Sequence, residues 1–406
     1  MAHVGTLILI MAIAVLAPLL VHALGRWCAI PLVVVEILLG VLIGPDVLGW
    51  AHGGEVLDVL SHLGLAMLIF LAGHEIEFDR IRGDTLNRSL LAWLVTLALG
   101  LGVGTLVAGG DFGKGVFLGT ALTSTALGAI LPMLSDAGEL RGRFGSVVMA
   151  MGSVGEFGPI VAMALLLGTR APGRSALVLI AFGLITAGAV WWALRPKPAW
   201  LGGLITRTLD TSSQFAVRLI MLLLVAMLGL AGALGIDTLL GAFAAGVLTR
   251  LVLRAAAPDS GHAVLARVEA LGFGFLVPIF FVVTGIEFDL RSLLSGGRPL
   301  LLVPVFLLLF LLLRGGPVRL LAPRDLGGRD RTALALFSST ALPLVVAITT
   351  LGVEDGAVRP GEAAALVAAG MVSVLLFPLL ARRARAGGGA GAGTAAGRGK
   401  EAEEAW

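Results

Sequence analysis

Runs of apolar residues long enough to cross a bilayer follow one another along almost the whole of this 406-residue chain, and they decide what it can fold into. They lie at about residues 4–24, 30–48, 57–73, 90–108, 115–134, 144–167, 176–194, 216–234, 239–253, 265–286, 300–313, 333–351 and 363–380. About 20 helical residues span the hydrocarbon layer, and within one helix the backbone pairs its own polar groups without water. The expected fold is an all-α polytopic membrane protein of about 13 transmembrane helices, the eleventh being short. A composition that is 58% hydrophobic and 14% charged, with mean hydropathy +1.00, excludes a soluble domain.

An odd number of spans puts the termini on opposite sides of the membrane. Joining alternate loops gathers 23 of the 29 Lys and Arg residues on one side, among them Arg80, Arg141, Arg250, Arg314 and Arg382, and leaves 6 on the other. Basic loops stay in the cytoplasm, so the N-terminus is expected outside and the C-terminus inside, in the inner (plasma) membrane. Residues 1–26 lack a basic leading stretch and read as the first span rather than a cleaved signal. The pI near 9.7 reflects these loops, and no nucleic-acid partner is expected. Cys28 is the one cysteine, which excludes an intrachain disulfide and a cysteine metal site. Residues 383–406 are rich in Gly and Ala and read as a disordered cytoplasmic tail behind a transmembrane domain of residues 1–382, with no soluble domain after the spans.

Within the sixth run one ionisable residue, Glu156, stands at the midpoint. A carboxylate there costs roughly 2.5–3.5 kcal/mol on insertion scales, so a chain that keeps one turns it toward a cavity or a partner. Pro159 has no N–H for the Gly155 carbonyl, which sets a freed oxygen beside the acid. Hard oxygen ligands of this kind suit a small cation. The plainer alternative is a buried Glu bonded to a neighbouring helix.

Two tetrapeptides recur. IEFD stands at 76–79 and 286–289, at the ends of the third and tenth spans, and STAL at 124–127 and 339–342, inside the fifth and twelfth. The offsets of 210 and 215 residues place each pair seven helices apart, so the copies run oppositely through the membrane. That pattern marks an inverted-topology repeat. Pro132 and Pro343 interrupt the STAL helices, freeing the carbonyls of Gly128 and Ser339. Two crossed, broken helices are expected, with Thr123, Ser124, Thr125, Ser338, Ser339 and Thr340 offering oxygens near the midplane; alternatively these hydroxyls only pack helix against helix. The repeat of Glu156 falls near Gly370, where no acid stands, so one ion site per protomer follows.

With PLVVVEILLGVLIGPDVLG at 31–49, LGLAMLIFLAGHEIEFD at 63–79, ALTSTALGAILPML at 121–134 and LGFGFLVPIFFVVTGIEFDL at 271–290, the chain resembles the monovalent cation:proton antiporter-2 family over residues 5 to 382. The resemblance implies a sodium/proton or potassium/proton exchanger working as an elevator: a core domain carries the ion and a dimerisation domain, interleaved with it in sequence, holds a homodimer in the lipid. Many members carry two adjacent Asp residues where this chain has Gly155-Glu156, so Glu156 matches the second acid and the first is missing. A basic residue, often Lys, follows the tenth span in many members, and Arg314 is the best match, unless it only anchors the eleventh helix at the cytoplasmic side. Arg does not shed a proton as Lys can, so a single carboxylate holding either one cation or one proton implies electroneutral one-for-one exchange. No cofactor is implied, since Na+ or K+ and H+ are cargo.

Glu36, the other mid-span acid, reads as structural, paired with a hydroxyl or amide, or else as a supporting charge. His74-Glu75-Ile76-Glu77 lacks the second His of a zinc motif and reads as a solvated flank. Gly100, Gly102 and Gly104 lie inside a span and read as packing positions. No nucleophile and base stand at one depth, so an enzyme is not expected. A cation channel or a non-transporting sensor on the same scaffold are the competing readings.

Overall fold

The computed structural model describes residues 2–24, 31–75, 84–127, 142–166, 181–189, 213–234, 238–256, 260–294 and 297–386, with a few isolated positions between them. Fourteen helices can be named: α1 (Ala2–Leu24), α2 (Leu32–Ile43), α3 (Glu55–Glu75), α4 (Asp84–Val107), α5 (Phe112–Leu122), α6 (Arg143–Leu166) and α7 (Phe215–Leu234). They continue with α8 (Thr238–Ala256), α9 (Gly261–Ile286), the short α10 (Leu290–Leu294), α11 (Gly297–Leu321), α12 (Gly328–Ser338), α13 (Pro343–Glu354) and α14 (Pro360–Ala386). Residues 181–189 are helical as well, within the seventh expected run. Every expected run carries helix over part of its described residues, and the chain is an all-helical polytopic membrane protein.

Differences from expectation have local causes. The eleventh span is not short: α11 has 25 residues, and Arg314 lies inside it rather than at its end. One charge had cut a continuous apolar run in two. Arg314 occupies a π-helical turn, Phe310–Gly315, placed just before Pro317. A proline removes one i→i−4 bond, and a wider turn absorbs the mismatch. α9 repeats the device with a π turn at Gly272–Leu276 before Pro278. His74 is buried rather than solvated, and its carbonyl accepts a 2.6 Å bond from Nη1 of Arg250 on α8. α14 runs to Ala386, four residues into the expected tail, and the rest of that tail lies outside the described residues.

Packing divides the described helices into two sets. α4, α5, α6, α11, α12, α13 and α14 pack on one another, as do α1, α2, α3, α7, α8 and α9. The sets meet where α6 touches α8: the Phe157 and Phe243 rings pack at a tilt of 48° with centroids 4.2 Å apart, next to Ala150 and Val247. Within the first set α4 and α5 cross backbone to backbone, since a Cβ on Gly104 would lie 2.5 Å from the Gly115 carbonyl oxygen. Gly100 is equally tight against Gly119, whereas Gly102 faces open space. Small residues thus let two helices approach closely, as the sequence suggested for two of the three.

Candidate ion site

The fifth and twelfth spans both lose their helix midway. α5 ends at Leu122 and residues 124–126 are not helical; α12 ends at Ser338 and α13 starts at Pro343, a residue whose fixed φ suits a first helical turn. In the far half of the fifth span, Gly128 and Pro132 lie outside the described residues.

These two breaks bond to each other. The Ala126 N–H donates to the Thr340 carbonyl at 2.7 Å, and the Thr125 hydroxyl donates to the Ser338 carbonyl at 2.7 Å. Backbone groups released by a broken helix in an apolar medium must find partners, and here each break supplies them to the other. The Gly155 carbonyl freed by Pro159 accepts the Thr125 N–H at 3.0 Å, which ties the first break to α6 directly beside Glu156. On the other side, the Ser373 hydroxyl of α14 accepts the Ala341 N–H at 3.0 Å and lies 2.7 Å from the Gly370 carbonyl. Sequence reasoning missed Ser373. Its signal was a hydroxyl three residues from Gly370, in the span that the sequence offsets pair with α6.

Arg314 is fully buried and clamps this arrangement. Its Nε donates to the Thr125 hydroxyl at 3.0 Å and its Nη2 to the Met151 carbonyl at 2.7 Å, while Nη1 has no partner. Gly155 is glycine because of it: a Cβ there would lie 2.2 Å from Nη2 and 2.4 Å from the Thr125 oxygen. The guanidinium thus meets α6 at Met151 and at Gly155, the residue before Glu156.

Glu156 itself is 8% exposed. Successive residues on α6 turn by about 100°. Met151 and Gly155 meet Arg314, Val154 and Ala162 meet Trp93 of α4, Gly152 meets Leu127, and Ala150 and Phe157 meet Phe243. Glu156 and Ser153 are left in the sector between Leu127 and Phe243, along the seam between the two helix sets.

The candidate oxygens fall close together, in different states. Thr123, Ser124 and Ser339 turn their hydroxyls back to the carbonyls of Thr120, Ala121 and Ala335 at 2.7–2.8 Å, and Thr340 reaches Leu336 at 3.3 Å. Ser338 contributes its carbonyl to the bonding between the breaks. Glu36 does not join the group. It is buried on α2 in the other set, and no described residue donates a hydrogen bond to it, so the expected pairing with a hydroxyl or amide is absent.

Two cavities approach from opposite ends of the α12–α13 span. One, of about 630 Å³, is lined by Leu134, Phe337, Arg329 and Arg382 and reaches the residue before Ser338. At its rim Arg385 pairs with Glu139 and, at 2.8 Å, with Asp330. The other, of about 190 Å³, is lined by Asp58, His62, Glu287 and Glu354. Glu287 keeps its proton above the usual carboxylate range, because of partial burial and then the neighbouring Asp58 and Glu354, with His62 opposing.

Residues 11–382 match the family model described as "Sodium/hydrogen exchanger, transmembrane". The putative Na+/H+ antiporter YjbQ of Bacillus subtilis is 26% identical over 401 residues, covering 93% of this chain and 63% of that protein. The Na+/H+-K+ antiporter GerN of Bacillus cereus is 28% identical over 271 residues, covering 64% of this chain and 66% of that one. The chain therefore spans a little under two thirds of the length of these relatives. The sodium proton antiporter MjNhaP1 of Methanocaldococcus jannaschii superposes with a TM-score of 0.68 at 17% identity, over 95% of this chain and 98% of that one, a likeness of fold.

Proposed function

The chain belongs to the sodium/hydrogen exchanger family, and from that premise we propose that it exchanges Na+ or K+ for H+ by alternating access, with Glu156 as the shared cation and proton site. The observation that carries this is the placement of one buried carboxyl beside two interlocked helix breaks, on the seam between two packed sets of helices. A proton or a cation neutralises that carboxylate, and the neutral site then crosses the apolar layer at far lower cost than a bare charge. Neither ligand needs the other, and both need the same oxygens. Competition for those oxygens is the coupling.

The bonds between Ala126 and Thr340, and the anchoring of Thr125 on α6 and Ala341 on α14, support an inverted repeat with two crossed broken helices. In this reading α4–α6 with α11–α14 form the moving core, and α1–α3 with α7–α9 form the scaffold, held as a homodimer. The N-terminus is outside and the C-terminus in the cytoplasm of the plasma membrane, which makes the 630 Å³ cavity an inward-facing access path. Arg314 stays charged through the cycle, fixing the break against α6 and balancing part of the carboxylate charge. One titrating acid and one fixed cation make the exchange electroneutral.

The test uses purified protein in vesicles loaded with a pH dye. Addition of Na+ or K+ should dissipate an imposed proton gradient at a rate that an imposed membrane potential does not change. A rate that follows the potential contradicts electroneutrality, and a cation flux indifferent to the proton gradient points to a channel instead.

A further inference from the structure

Ser153 lies on α6 one turn before Glu156, 3% exposed, and its hydroxyl oxygen has no hydrogen-bond partner. Serines in helices usually return their proton to a carbonyl three or four residues back, as Ser89 and Ser146 do here. A buried hydroxyl without any partner is uncommon, and an ion is one of the few things that explain it. Its position adds a direction. Ser153 and Glu156 are three residues apart, hence neighbours on one helix face, with Cβ atoms about 5–6 Å apart. One cation bound at about 2.3–2.6 Å to oxygens fits between two such side chains. Both occupy the sector facing the seam, between Leu127 and Phe243, where the helix sets separate.

We infer that the Ser153 hydroxyl is a ligand of the transported cation, completing with the Glu156 carboxylate a site on the seam face of α6. This rests on the reading of Glu156 as the shared site. The two side chains then divide the work. The carboxylate takes either a proton or a cation, whereas a neutral hydroxyl ligates only the cation. Ser153 therefore sets how well the cation competes, and with it the pH range of exchange and the preference between Na+ and K+.

Vesicle exchange measured against Na+ and K+ concentration and against pH tests this. Ser153→Ala should raise KM for the cation about tenfold with maximal rate within about twofold, the loss expected for one hydrogen-bond-strength contact to a charge. Because the proton's hold is unchanged, the pH of half-maximal exchange at fixed cation should rise by about one unit. Ser153→Thr, which keeps the hydroxyl, should return both values to wild type. Ser153→Cys offers soft sulfur to a hard cation and should behave as Ser153→Ala does, which serves if the alanine variant fails to fold. A Ser153→Ala or Ser153→Cys protein with wild-type KM and pH profile overturns the inference. The companion Glu156→Gln separates the two claims: silent exchange there with a normal Ser153→Ala removes only the hydroxyl, whereas retained exchange in Glu156→Gln removes the shared site and this ligand with it.

Discussion

At the scale of single residues, the site is an exercise in what a low-dielectric interior permits. Arg314 is tolerated because two of its three nitrogens bond to Thr125 and Met151, and Gly155 is required because the guanidinium fills the space of a side chain. As candidates, Glu156, Gly155 and the hydroxyls of the breaks were legible from spacing, since a mid-span acid next to a proline is rare for a physical reason. Ser153 and the buried position of Arg314 were not. Periodicity reports that a residue is inside a span, and says nothing of whether its polar atoms are already satisfied. A residue-scale prediction concerns Glu287, whose folded form holds its proton above the usual carboxylate range. The folded state then binds more protons than the unfolded one, so the stability this group contributes is present at low pH and lost as pH rises through and above the carboxylate range. Thermal unfolding in detergent should fall with rising pH there, and Glu287→Gln should flatten the slope; an unchanged slope removes Glu287 as its source.

At the scale of elements, each broken span is held by the helix that follows it. Thr125 rests on the Gly155 carbonyl of α6, and Ala341 on the Ser373 hydroxyl of α14. The repeated STAL tetrapeptide made the two breaks visible in the sequence, because prolines and small hydroxyl residues are what an interrupted membrane helix needs. The anchor on α14 stayed hidden because it uses a side chain where α6 uses a carbonyl. Ser373→Ala leaves the buried Ala341 N–H unpaired and should cost about 1–3 kcal/mol of stability, read as a lower unfolding temperature in detergent. Wild-type stability would mean that another group takes the N–H. The extended reach of α11 carries the same lesson, since hydropathy alone ends a span at a charge that packing then encloses.

At the scale of the whole molecule, the proposed alternating access asks one helix set to slide on the other, which makes α6 against α8 the contact to test. The sequence carried the succession of spans, but long-range packing decides which helices associate, and no local pattern encodes that partition. With Cys28 replaced by Ser, cysteines at Ala150 and Val247, which share one apolar cluster across the seam, should stop exchange when oxidised and restore it when reduced. Full exchange in the cross-linked protein would place the motion elsewhere. The shared carboxyl is tested most directly by adding Na+ or K+ to purified protein in weakly buffered detergent and following the pH. Competition at Glu156 predicts saturable proton release from the wild type and none from Glu156→Gln; cation binding without proton release, or equal release from the Gln variant, would contradict it.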